Sequence, residues 1–298
     1  MLKSLLAFSL AGVLFQTAGT PTDLATFRKQ REVEIGGETG WAALTGLHWL
    51  TNGTMTVGRD SRNAVVLTAP SAPATLGTLN VTDTSVTLHV AAGVPARVKG
   101  QPVTEVQLRP GTEASDGLTV GGMTMVVIKR GRGMALRVWD AAAPGRIAFK
   151  GLRWYPAEPK LKVEAKFIPH QPPGKVKIQN IIGETIEMSN PGAVAFTIGG
   201  TLYRLEALLE SDDADELFFM FKDGTSNKTT YGAGRYLYTP LPKDGRVTLD
   251  FNRAMNPPCA FTSFATCPLP PMPNRLTVPI PAGELDHKTT SGVVLRNP

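Results

Sequence analysis

Cys259 and Cys267, with seven residues between them, are the only two cysteines in the chain. In an oxidising compartment, a disulfide closing so short a loop stabilises a fold by roughly 2–3 kcal/mol. The pair is too small for a structural zinc site, which takes four ligands. Neither a Cys-x-x-Cys nor a His-x-x-x-His spacing accompanies it. As a nucleophile, either thiol would want a histidine, and His48, His89, His170 and His287 are scattered outside any motif. The spacing favours a disulfide over two buried thiols, and both over a catalytic cysteine.

Polar residues interrupting apolar strands are the other candidates. Val247, Leu249 and Phe251 alternate with Thr248, Asp250 and Asn252, the period of a half-buried strand. That alternation predicts Asp250 and Asn252 side by side on one face. Upstream, Tyr231 and Arg235 lie beside Gly232 and Gly234, which let backbones approach closely. Together they suggest one polar pocket, in which Arg235 meets Asp250. Asn252, Tyr231 and the loop from Asn256 to Cys267 would line it.

Such a pocket takes a small polar or anionic molecule. A plainer reading stands beside it: a buried Arg–Asp tie that fixes the loop and binds nothing. An enzymatic reading would use Asp250 or Glu284 as the general base of a hydrolase, but no nucleophile is paired with either. A third class is a structural or interaction module. No Gly-rich phosphate loop or metal-ligand set occurs, so no cofactor or metal is expected; Gly131-Arg132-Gly133 reads as a hairpin turn.

The elements that must position these groups are strands. Pro257 and Pro258 cannot donate to a ladder, so the strand ends before them, and residues 256–276 should form an ordered, non-helical loop. Short alternating runs at 85–91, 123–129, 135–139, 176–182, 184–189, 192–198 and 201–208 read as strands, and 217–222 as a buried one. Lysines alternate outward along 161–167, which reads as an edge strand, with a loop at 169–174. His89 should face solvent, and Arg137 with Asp140 reads as a structural pair. The exception to the strands is 23–35, a helix that Asp23 can cap, expected to pack as a lid or lead-in to the first sheet.

With 30 glycines and 24 prolines the composition is that of an all-β protein. The expected architecture is two β-rich lobes, a β-sandwich followed by an antiparallel barrel or sandwich, with one short N-terminal helix. The net charge of +6 is dispersed rather than packed into a basic tract, which argues against nucleic acid as a partner. Residues 1–20 combine Lys3, an apolar run and small residues, as in a secretory signal peptide cleaved after Ala18 or Gly19. No cysteine follows it to carry a lipid, so a periplasmic or secreted protein without a stable membrane anchor is expected. Its oligomeric state stays open.

Two resemblances add to this. Asp250-Phe251-Asn252, Asn256-Pro257-Pro258-Cys259-Ala260, Cys267-Pro268-Leu269-Pro270-Pro271, Asn274-Arg275-Leu276 and Ala282-Gly283-Glu284 resemble the signature of a bacterial family known as domain of unknown function 1684. Gly40-Trp41, Gly46-Leu47, Phe149-Lys150-Gly151 and Thr230-Tyr231-Gly232 extend the likeness over residues 27 to 286. It implies no activity or ligand. Gly58-Arg59, Asn63, Val65 and Leu67 resemble the opening strands of a forkhead-associated domain, a sandwich that recognises phosphothreonine. Ser71 fits its phosphate site, but Ala72, Ala74 and Lys99 stand where that family has arginine, histidine and asparagine. Without those donors phosphopeptide binding is not expected. The segments are then 21–43 (helix and lead-in), 44–145 (sandwich), 146–286 (C-terminal β domain with the Cys/Pro loop) and 287–298 (tail).

Overall fold

Asp23 accepts a hydrogen bond from the Thr26 N–H at 2.8 Å and so starts helix α1 (Leu24–Gly36). The computed structural model describes residues 23–130 and 133–287. The expected signal peptide, residues 131 and 132 of the expected turn, and the tail beyond His287 lie outside them. α1 does not lead onto the first sheet alone. Phe27 packs edge-on against Trp154 at 6.0 Å, and Arg31 reaches the C-terminal half.

Alternation of apolar residues builds the first unit. Its strands are β1 (Leu44–Trp49), β2 (Gly53–Gly58), β3 (Val65–Val66), β4 (Gly77–Val81), β5 (Val86–Val90) and β6 (Ala96–Val98). They are followed by β7 (Gln101–Pro102), β8 (Glu105–Leu108), β9 (Leu118–Val120), β10 (Met123–Arg130) and β11 (Gly133–Asp140). Two sheets result, in the orders β1-β11-β10-β9-β6-β7 and β3-β2-β4-β5-β8. Val57, Leu79, Leu88, Met125, Val127, Leu136 and Val138 form the core between them. His89 is exposed beside Glu105, as its place in the alternation requires.

Arg137 and Asp140 are not a pair. Three positions apart on β11, they point to opposite faces. Asp140 turns inward and accepts from the Ser71 N–H (2.7 Å), the Ser71 hydroxyl (2.9 Å) and the Ala142 N–H (2.8 Å). Arg137 lies on the outer face with Ala135 and Trp139, which the C-terminal half covers.

The second unit is a six-stranded, nearly closed antiparallel sheet. Its strands are β12 (Lys162–Gln179), β13 (Thr185–Ile198), β14 (Thr201–Leu209), β15 (Glu216–Phe221), β16 (Arg235–Pro240) and β17 (Arg246–Asp250). The order is β16-β15-β14-β13-β12-β17. β12 lies between β13 and β17, and its lysine-bearing start pairs with β17, so that run is not the outermost strand of the sheet. The expected loop at 169–174 lies within β12 as a register shift between Pro169 and Gly174, and the runs at 184–189 and 192–198 are one strand. Irregularities of this kind absorb glycine and proline without ending a strand. At the seam, the Thr239 hydroxyl donates to the Thr248 carbonyl (3.0 Å), and Tyr236 and Met255 exchange backbone bonds at 2.8 and 2.9 Å.

Phe196, Phe219, Phe221, Leu249 and Phe251 fill the interior, each contributing about 1.5–3 kcal/mol by leaving water. Within it, Arg235 and Asp223 are fully buried with a 2.6 Å ion pair. Arg235 also donates to the Ile280 carbonyl at 2.9 Å and to that of Ala282, while Asp223 accepts from the Ile280 and Thr225 N–H groups at 3.1 and 2.7 Å. Removing one partner from such a pair strands the other charge in the core. Arg235→Met should therefore lower the unfolding free energy by about 3–5 kcal/mol, and adding Asp223→Asn should recover much of it. Denaturant titration checks this; a single variant within about 1 kcal/mol of wild type contradicts it.

Candidate functional site

The strand that carries Asp250 ends there. Phe251–Arg253 forms a 3-10 turn, and Asp250 caps it by accepting from the Asn252 N–H at 3.1 Å and side-chain amide at 2.9 Å. A 3-10 turn abandons the two-residue period, so Asn252 does not stand beside Asp250 on one face. It is buried, bonding Glu158 through Oδ1 (2.8 Å from the N–H) and Nδ2 (3.1 Å to the carbonyl).

Asp250 itself lines a cavity of about 510 Å³ on the outside of the barrel seam. Four cationic side chains share the wall: Lys162, Lys243, Arg246 and Arg253; Leu24 of α1 and Tyr238 contribute apolar surface. The register explains the grouping. Val247 and Leu249 point into the barrel, so Arg246, Thr248 and Asp250 point out, opposite Lys166, Glu164 and Lys162 of β12. Lys162 faces Asp250, but Lys166 faces Arg246, a like-charged pair that a sheet ordinarily avoids. Arg253 Nε lies 3.7 Å from Asp250 Oδ2.

The remaining expected site residues are elsewhere. Arg235 meets Asp223, not Asp250, and is wholly internal. Tyr231 donates to the Cys259 carbonyl at 3.1 Å and lies 3.6 Å from its sulfur; burial pushes its phenol well above the usual range. The two cysteines are not joined by a disulfide. The turn Pro258–Ala260 presents the backbone of Cys259 to its neighbour, and the Cys259 N–H donates to Cys267 Sγ at 3.2 Å. Hydrogen bonding to the Cys259 thiol, together with burial, holds the Cys267 thiol well above its ordinary value. A thiol so raised is a poor nucleophile.

Asn256 belongs to a third cluster. Its N–H and side-chain amide donate to Glu284 at 3.2 and 2.8 Å, and its carbonyl accepts from Arg31 at 2.6 Å. Arg31 also pairs with Glu34 at 2.7 Å and approaches Glu284 at 3.6 Å. Glu284 is fully buried, so no solute can reach it as a substrate would reach a general base. Reading the sequence missed Asp223, Arg31 and the lysine–arginine wall. The outward position of Arg246 was readable from the inward set of Val247 and Leu249; its neighbours were not. Among the described residues, no three His, Cys, Asp or Glu side chains are grouped to hold a metal, and no helix is long and apolar enough to cross a membrane.

Burial raises the Glu284 carboxyl to about 7 against an ordinary 4.5, despite the opposing pull of Arg31. A carboxyl whose folded pKa lies above its unfolded one takes up a proton on folding. Its stabilising contribution is complete below about 4.5 and is lost as pH rises through about 7. The loss is on the order of 3 kcal/mol. Glu284→Gln should flatten the fall in denaturation midpoint between pH 5 and 8; an unchanged slope would contradict the assignment.

No curated protein matches the chain. The solution NMR structure of an uncharacterized protein from Haloarcula marismortui is 31% identical over 47% of this chain and 78% of that one, with a TM-score of 0.41. The family described as protein of unknown function (DUF1684) matches residues 147–285, the barrel and its Cys/Pro loop, and not the upstream stretch from residue 27 where the likeness was also read. Through those residues, the chain belongs to that family.

Proposed function

We propose that the protein binds a small anionic molecule at the barrel seam, outside the cytoplasm. The observation that carries this reading is the wall of the 510 Å³ cavity, where four cationic side chains face one carboxylate. Arg246 and Lys243 are exposed, and Arg246 is set against Lys166 rather than against an acid. Cations held together in a concavity concentrate anions at low ionic strength. The planar donors of Arg246 and Arg253 can grip a carboxylate or phosphate oxygen pair. Asp250 holds Arg253 in place and would select ligands that carry a hydroxyl or amine beside the anionic group. The leader-like pattern of residues 1–20 supports export.

This differs from the expected pocket in its residues and keeps only Asp250 of the original set. It also weakens the hydrolase reading, since Glu284 is sealed and Asp250 is engaged by Asn252 and Arg253. Citrate and inorganic phosphate at low salt should raise the melting temperature of wild type, with binding that weakens as salt is added. Lys243→Ala with Arg246→Ala should weaken binding about tenfold or more, while the melting temperature without ligand barely moves. No anion-dependent shift, or one that survives both substitutions, would refute the proposal.

A further inference from the structure

A second cation in this molecule is held in the opposite manner. Arg137 projects from the outer face of β11 into the junction between sandwich and barrel, and only 8% of it is exposed. Its guanidinium carbon lies over the rings of Trp41 (5.4 Å) and Trp139 (5.8 Å). Nε is buried with no hydrogen-bond partner. Among the described residues no carboxylate forms an ion pair with it; the charged group felt most strongly nearby is Arg130, which repels. Desolvation draws the guanidinium down to about 10.

Buried arginines ordinarily come with an acid, because an unpaired buried charge is expensive. The contacts that hold Arg137 are with the rings of Trp41 and Trp139. Its N–H donors project in the plane, and among the described residues no acceptor meets Nε. That is the geometry of half a bidentate pair.

An apolar hollow adjoins it. A cavity of about 190 Å³ is walled by Leu47, Trp49, Ile182, Phe264 and the small residues around them. Leu47 is the cross-strand partner of Arg137, so the two side chains stand next to each other on one face. Leu47, Trp49 and Phe264 also pack in the same apolar cluster as Trp41 and Trp139. An unpaired donor fork and an aromatic hollow therefore share one face of one sheet.

We propose that this junction is a second binding site, for a small organic carboxylate with an aromatic or compact aliphatic body. Its carboxylate meets Arg137 in the plane of the guanidinium, and its apolar part occupies the hollow between Leu47, Trp49 and Phe264. A carboxylate fits better than a fully hydrated phosphate because the hollow offers no polar side chain besides Ser263 and Thr266. The site is independent of the seam cavity, with which it shares no residue.

Phenylacetate, added to the full chain, tests this. It should change the intrinsic tryptophan fluorescence saturably, and neutral 2-phenylethanol should bind at least tenfold more weakly. Arg137→Met should lose at least tenfold in affinity without a lower melting temperature, since a buried unpaired charge is exchanged for an apolar side chain. Leu47→Trp keeps the arginine and fills the hollow, and should block phenylacetate also. Lys243→Ala with Arg246→Ala should leave the response intact, which separates this site from the one at the seam. Equal binding of the alcohol, or a phenylacetate response unchanged in both Arg137→Met and Leu47→Trp, would overturn the proposal. So would a melting temperature that falls in Arg137→Met with no phenylacetate response in wild type, the signature of an arginine that only glues the units together.

Discussion

The ion pair between Asp223 and Arg235 is the constraint from which the rest of the C-terminal half follows. Both groups are without exposure, and their desolvation is offset by their mutual attraction, by N–H groups of Thr225 and Ile280 on the aspartate and by carbonyls of Ile280 and Ala282 on the arginine. The acceptors on the arginine side are the carbonyls of Ile280 and Ala282, so the pair draws a late segment of the chain against the barrel. Once that segment is fixed, the Glu284 N–H reaches the Ala254 carbonyl and its carboxyl lies beneath Asn256. Arg31 then anchors α1 on the Asn256 carbonyl, and the start of α1 places Leu24 in the wall of the seam cavity. The order of dependence runs from a sealed charge pair outward to an exposed basic hollow. An apolar replacement of equal volume could match its stability, but would not choose among the carbonyls of a segment that forms no strand of the sheet.

The seam is where a sheet of six strands comes closest to closing without a full ladder. A hydroxyl-to-carbonyl bond between Thr239 and Thr248 and, just beyond β17, a bridge between Tyr236 and Met255 join its two margins. That leaves outward-facing side chains of β17 free to gather charge rather than to be buried by a neighbour. A like-charged cross-strand pair such as Lys166 and Arg246 costs a few tenths of a kcal/mol to about 1 kcal/mol in an ordinary sheet. Local rules broken without local compensation tend to coincide with sites of function. The two cationic places also differ in kind. Exposed lysines attract anions over a Debye length and are screened by salt. A buried arginine acts only at contact, and discriminates by the geometry of its donors.

How far the sequence could be read depended on what kind of information each element carries. Alternation reports inside against outside, so β10, β11, β14 and β17 were recoverable, and the Asp23 cap was recoverable because capping is local. Partner choice is not local. Arg235 had two aspartates on offer, and took Asp223, 12 residues earlier in the chain, across the turn that follows β15, because that residue is internal while Asp250 faces the outer wall. Glycines and prolines at 169–174 and near 190 read as breaks, yet the long strands β12 and β13 run through them with register shifts. Asn252 was misplaced for a simpler reason: the strand had already become a 3-10 turn. Sulfur spacing in the sequence likewise says nothing of orientation, and the two cysteines meet through hydrogen bonds at the Cys259 N–H and thiol rather than through a disulfide.

Arg137 is the case in which the period rule, applied strictly, already held the answer. Positions 137 and 140 differ by an odd number, so a strand cannot present both on one face. The even positions Met134, Leu136 and Val138 are apolar and belong to the sandwich core. The odd positions Ala135 and Trp139 are apolar too, which means that the other face of β11 is also covered. An arginine between them is buried by construction, and its acidic neighbour is turned away toward Ser71. The sheet that carries it can supply ring faces but no acceptor, and the barrel packed against it contributes Phe264 and the backbone around it rather than a carboxylate. Among the described residues that positive charge has no acid beside it, and the hollow next to it is mostly apolar, which is why an organic carboxylate is the ligand proposed for it.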